Sequence, residues 1–173
     1  MSKTDPPYAF VPGYWPHPTR DPEGHSYGEP EQEVQPLDFD RWHECESYLR
    51  GIDLFNTGYY WEAHEAWENV WNALGREGLE AALLKGLIKL AAVGIKIRQN
   101  YTQAGQSLAR QAAGHFRDIS EKRDQPLCAG LNLREIALWC EQVSKDIENL
   151  VGDPTKKVEV VFVQQLKTQL PLS

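Results

Sequence analysis

Apolar residues return at helical spacing in five stretches of this chain, and the breaks between the stretches fall at glycine, asparagine and proline. Phe39, Trp42, Cys45, Leu49, Ile52 and Phe55 form the first stripe. Their spacing predicts a helix from about Asp38 to Thr57, with Asp38 or Asp40 as N-cap and Gly58 as the left-handed residue past its end. Only a tight turn separates it from a second helix, Tyr59 to about Leu74, so the pair reads as an antiparallel hairpin. In that second helix Tyr60, Ala63, His64, Trp67, Val70, Trp71 and Leu74 share one wide face. Glu68 sits at the edge of that face, Glu65 lies farther round, and Glu62 lies opposite its centre.

A third helix, from about Leu79 to Gln99, is apolar nearly all round and reads as the central helix. Lys85, Lys89 and Lys96 form its one wet stripe, and Ala82, Gly86 and Gly94 let neighbours approach closely. The fourth helix follows Asn100 and Tyr101, with Ala104, Leu108, Ala112, His115, Phe116 and Ile119 directed to the core. The fifth runs from Asn132 as cap to about Leu150, burying Leu133, Ile136, Ala137, Cys140, Val143 and Ile147. VEVVFVQQL after Pro154 is short and β-branched, which suits either a docked extended tail or a dimer-forming edge. Tyr60-Trp-Glu-Ala63 echoes Tyr101-Thr-Gln-Ala104, each opening a helix after a turn, as in packed hairpin repeats.

Residues 1–37 break the pattern. They hold eight of the eleven prolines together with Tyr8, Phe10, Tyr14, Trp15 and Tyr27. No helix survives that proline spacing, and the aromatic content is high for a free tail. The stretch therefore reads as an extended arm whose aromatics fill grooves on the helices, and removing it should lower the melting temperature. The fold class is all-α: a compact bundle of about five helices built on antiparallel helical hairpins. It divides into an arm (1–37), a helical domain (38–151) and a C-terminal extended tail (152–173).

Composition narrows the function classes. A chain of 173 residues with 41% apolar and 25% charged residues suits one soluble globular domain. The net charge of −7 argues against a broad hold on nucleic acid or on an anionic membrane. Lysines interrupt the most apolar run, so it does not read as a membrane span, and the N-terminus has no signal-peptide pattern. Cys45, Cys128 and Cys140 are odd in number with no C-x-x-C spacing, which suits reduced thiols and a cytoplasmic location.

The candidate chemistry centres on H-E-x-x-E. His64 and Glu68 stand one turn apart, where two side chains can grip one ion. In a metal site His64, Glu68 and His115 would be the ligands of a divalent zinc, manganese or iron ion, and Glu65 would be the general base acting on bound water. The alternative is a structural polar network in which His64 donates to Glu68 or to a backbone carbonyl and locks the helices in register. Glu62 reads as a solvated first-turn acid that favours the helix dipole. Trp67 and Trp71 suit a core or interface, and Trp61, off the main face, suits a pocket wall or subunit contact. Gly24-His25-Ser26-Tyr27-Gly28 satisfies G-x-S-x-G, but no strand and helix flank it to mount a hydrolase elbow. His17, His25 and His43 add ligands only if the arm folds over the hairpin.

The run FNTGYYWEAHEAWENVW followed by LLKGLIKLAAVGIKIRQNYTQAG resembles a prokaryotic family known as domain of unknown function 309. The family pattern is roughly F-N-x-G-x-Y-x-E-A-H-E-x-W-E-x-x-W, then Q-G-L-I-x-x-A and a later G-N-x-x-G-A. The resemblance covers about residues 48–110. Lys85 replaces the usual glutamine, Ala104-Gly105 inverts the usual glycine-alanine, and the histidine common near Gly94 to Lys96 is missing. The resemblance implies a small all-helical domain and carries no activity. The sequence therefore supports a cytoplasmic binding or interaction module with a polar, metal-linked or purely structural site around His64. Its partner would be a small ligand or a protein, with neither nucleic acid nor membrane involved, as a homo-oligomer or a monomer with a covered groove. The competing class is a metal-dependent hydrolase using His64, Glu68 and His115 as ligands and Glu65 as base.

Overall fold

In a computed structural model, described here for residues 4–170, five helices run in chain order: α1 (Glu46–Asn56), α2 (Tyr60–Ala73), α3 (Leu79–Arg98), α4 (Thr102–Arg123) and α5 (Leu133–Asp146). Each helix packs on the next, and α3 lies between α2 and α4. Leu83, Leu84, Leu87 and Leu90 of α3 are fully buried. Each such side chain stabilises the fold by roughly 1.5 to 3 kcal/mol relative to exposure.

The first turn is built by its sequence. Gly58 takes φ +93°, its N–H donates to the Phe55 carbonyl, and the Tyr59 N–H donates to that of Leu54 at 2.8 Å. This pair of bonds is a Schellman closure, which satisfies carbonyls left over at the end of α1. Asn100 does the same for α3 at φ 59°, with the Tyr101 N–H on the Lys96 carbonyl at 2.9 Å. Tyr59 and Tyr101 then open α2 and α4 with matching backbones. Tyr59, rather than Tyr60, is thus the partner of Tyr101 in the repeated turn.

Several expectations need correction. The first helix starts later than the apolar stripe does, because a short 3-10 turn (Trp42–Glu44) precedes α1. Asp38 closes its own turn by accepting from the Asp40 N–H at 2.8 Å and caps no helix. The buried face of α4 is Gly105, Ala109, Ala112, Ala113, Phe116 and Ile119. Ala104 is exposed and Leu108 only half-buried, because small residues at 105 and 109 let the neighbouring helices come close. A two-stranded antiparallel ribbon, β1 (Leu127–Cys128) with β2 (Leu131–Asn132), turns the chain into α5. There the Asn132 side chain caps the helix by accepting from the Glu135 N–H.

The VEVVFVQQL stretch forms no strand and lies extended against the α1–α2 hairpin. Phe162 enters an aromatic nest, stacked on Phe55 at 5.5 Å and edge-on to Tyr60 and Trp139. The Asn56 side-chain amide brackets Leu166, donating to its carbonyl and accepting from its N–H, both at 2.8 Å. One side chain thereby replaces a missing neighbouring strand.

Residues 4–41 contain no helix or strand. Tyr8, Ala9, Phe10 and Val11 are buried, whereas Tyr14 and Tyr27 are more than half exposed and fill no groove. The buried guanidinium of Arg98 lies where this segment meets the tail. It donates to the carbonyls of Ala9, Asp153 and Lys156 and faces the Glu159 carboxylate at 3.6 Å. Burial pulls the Arg98 pKa down, and Glu159 opposes that shift. No helix among the described residues is long and apolar enough to cross a membrane.

Candidate functional site

The second helix presents Glu62 and His64 in nearly opposite directions, and the structure reverses their expected roles. Glu62, expected to be solvated, is buried; its side chain is 8% exposed, against 22% for that of His64. Glu62 does point away from the helical core. What it meets there is the N-terminal segment, a layer that helical facing alone does not contain.

Both Glu62 oxygens accept from the Phe10 N–H, at 3.1 and 3.3 Å. The Oε2 atom also lies 3.0 Å from Nε2 of His25. On the other side of the ring, His25 Nδ1 lies 2.8 Å from Ser26 Oγ. The turn carrying His25 and Ser26 is held tightly. The Ser26 N–H donates to the Pro18 carbonyl at 2.9 Å, and the His25 N–H donates to the Tyr8 hydroxyl at 3.2 Å. Gly24 is required because any Cβ at that position would overlap the His17 and Pro18 carbonyls.

Beside this chain of groups lies an open cleft of about 640 Å³ between the N-terminal segment and the α1–α2 hairpin. Its walls include His17, Ser26, Arg50, Leu54, Trp61 and Glu65, together with His25 and Glu62. Two side-chain pairs are already closed in it. His25 meets Glu62 at 3.0 Å, and Arg50 meets Asp5 at 3.0 Å. The Trp61 indole stands edge-on to Phe10 at 4.8 Å and stacks on His64 at 5.6 Å.

At the rim His64, Glu65 and Glu68 bring one donor atom each within 4.8 Å of one another. His64 Nδ1 is buried and has no hydrogen-bond partner. The Glu65 and Glu68 oxygens stand 3.4 and 3.6 Å from it. Such distances are long for hydrogen bonds but compatible with three ligands converging on one cation at about 2 Å each. Glu65 therefore belongs to the same cluster as His64 and Glu68.

Residues 48–108 match the family described as Domain of unknown function (DUF309). That is the family the motif resembles. The chain is also similar to an uncharacterised protein of Aquifex aeolicus (strain VF5), 31% identical over 108 residues. That alignment covers 61% of this chain and 31% of the relative. The DUF309 stretch contains Arg50, Trp61, Glu62, His64, Glu65 and Glu68, while His25 and Ser26 precede it. The candidate site is thus joined from the domain and from a segment outside it.

The other candidate residues lie elsewhere. His115 is on α4 and does not join the His64 cluster; it sits against Gly86 and the α3 lysines. Burial together with Lys89 and Lys85 lowers its pKa, the reverse of what an anionic cluster would do. His43 is exposed beside Trp42. Lys89 donates to the Gln111 side chain, and Lys96 lies over the Tyr101 ring, so neither heads a phosphate cradle. Trp67 is a core residue, its indole N–H on the Tyr48 carbonyl at 3.2 Å, and the half-buried Trp71 carries Arg76 over its ring. All three cysteines are free and buried, and burial pushes the Cys140 thiol up to about 12.

The importance of Glu62 carried one sequence signal. It occupies a family motif position although it lies off the apolar stripe, so packing against the bundle does not account for it. His25 carried only its place in the G-x-S-x-G match, because an irregular segment has no periodicity from which to read a facing.

Proposed function

We propose that this protein binds a small organic molecule in the cleft between the N-terminal segment and the α1–α2 hairpin. The observation that carries this reading is the buried Glu62–His25 pair set in the wall of an open cleft with an aromatic face at Trp61. Clefts of this size with a few convergent polar groups are the usual form of small-ligand sites. The polar groups of the wall are already engaged with one another, His25 with Glu62 and Arg50 with Asp5, so a charged ligand would have to displace an existing contact. The favoured ligand is uncharged, with an apolar group for Trp61 and the prolines and a carbonyl for the polar wall.

Acetanilide has these features, and its binding is measurable by tryptophan fluorescence or calorimetry. We expect saturable binding to the full chain, weakened roughly tenfold by Trp61→Ala, a loss of about 1.4 kcal/mol. Equal affinity in the two proteins, or no saturation, would exclude the cleft.

A second reading rests on a different observation, the convergence of His64, Glu65 and Glu68 around an orphaned imidazole nitrogen. These residues would hold a divalent cation of the zinc, manganese or iron type at the cleft rim. Dialysis against zinc should leave bound metal in the wild type and about tenfold weaker binding in His64→Ala. Equal zinc retention in the variant refutes this assignment.

A further inference from the structure

The three groups Ser26, His25 and Glu62 form a connected chain, and a neutral imidazole within it has one consistent arrangement of protons. Glu62 accepts the Phe10 N–H through both oxygens, which suits a carboxylate and leaves it only able to accept. His25 Nε2, 3.0 Å away, must then carry the proton in the neutral ring. Nδ1 is left as a lone pair, so the Ser26 hydroxyl at 2.8 Å donates to it. A serine hydroxyl is thereby aimed at an imidazole base whose far side is held by a buried carboxylate. This is the resting arrangement of an activated serine, with the two ring nitrogens in exchanged roles. Ser26 is half-buried and faces the cleft.

We propose that Ser26 is a nucleophile for acyl transfer, with His25 as its general base and Glu62 as the positioning residue, and that the substrates are small uncharged carboxylic esters. This rests on the cleft being a ligand site. Ser26 Oγ bonds to the ester carbonyl carbon while its proton passes to His25 Nδ1, and the imidazolium is held through Nε2 by Glu62. The tetrahedral adduct collapses, the carbon–alkoxide bond breaks, and the leaving oxygen takes the proton from Nδ1. Water then enters, gives a proton to Nδ1 and attacks the acyl carbon. The acid departs, and the proton returns to Ser26 Oγ. The glycines of the G-x-S-x-G match serve a different purpose from those of an elbow between strand and helix. Here they shape a turn that seats Ser26 beside His25 on an irregular segment.

The test uses the full chain with 4-nitrophenyl acetate as substrate and a fluorophosphonate as covalent probe. Expected are turnover above buffer, phosphonylation mapped by mass spectrometry to Ser26, and loss of about 100-fold or more of the rate in Ser26→Ala. Glu62→Gln should lower kcat at least tenfold with KM near the wild-type value, a split that a general loosening of the fold would not produce. Ser26→Cys should restore acyl-enzyme formation at residue 26. Wild-type turnover in Ser26→Ala, or a label on His25 or on lysine in place of Ser26, overturns the proposal. If acetanilide binds and no label forms at Ser26, this inference fails while the cleft reading stands. If acetanilide does not bind, it is the cleft that fails.

Discussion

Replacing Arg98 with alanine is expected to lower unfolding free energy by about 3 to 5 kcal/mol, among the largest effects of any single substitution in this chain. The guanidinium is almost fully buried, and three backbone carbonyls depend on it: Ala9 from the N-terminal segment, Asp153 and Lys156 from the tail. Removing it strands those acceptors and leaves Glu159 without its countercharge. Arg98→Lys should recover only part of the loss, because an ammonium is a point charge and cannot serve three carbonyls in fixed directions. Urea unfolding followed by circular dichroism measures both. A loss under about 1 kcal/mol for the alanine variant would show that the terminal segments hold without this contact.

Removing residues 1–36 is the second large perturbation. The deletion strips Tyr8, Phe10 and Val11 from the bundle, each burial contributing about 1.5 to 3 kcal/mol before the cost of ordering the segment. It also takes His25 and the Phe10 N–H from Glu62. A net loss near 3 kcal/mol corresponds to a melting temperature lower by roughly 6 to 12 °C. An unchanged melting temperature would show that the packing of these residues contributes nothing. Val11 and Ala9, each only 1% exposed, make that outcome hard to reconcile with their burial.

These two cases mark where the chain is readable. The helices were legible because their cores are made by neighbours in sequence: the stripe from Trp42 to Phe55 and the apolar run of α3 encode both the element and its facing. Arg98 was not, since a basic residue in the last turn of a helix has a sufficient reason in the dipole and gives no hint of burial. Glu62 was misread for a related cause. Its facing was reckoned against the bundle, whereas the environment that matters is a proline-rich segment whose path follows no period. His64 was misread in the complementary direction: its face is apolar, but the rim of the cleft leaves the imidazole partly open. His64, Glu65 and Glu68 stand together in the structure, and His115, expected to reach them from the fourth helix, lies apart from their cluster.

The tie between Glu62 and His25 has a bearing on how preparations of this protein are judged. One partner stands on a helix secured by adjacent helices, the other on a strap secured by contacts distant along the chain. Far-ultraviolet dichroism reports the first and is blind to the second. A sample can thus show full helical signal while the strap is displaced and the serine and imidazole stand apart from the carboxylate, so helical content alone does not certify that the cleft is assembled.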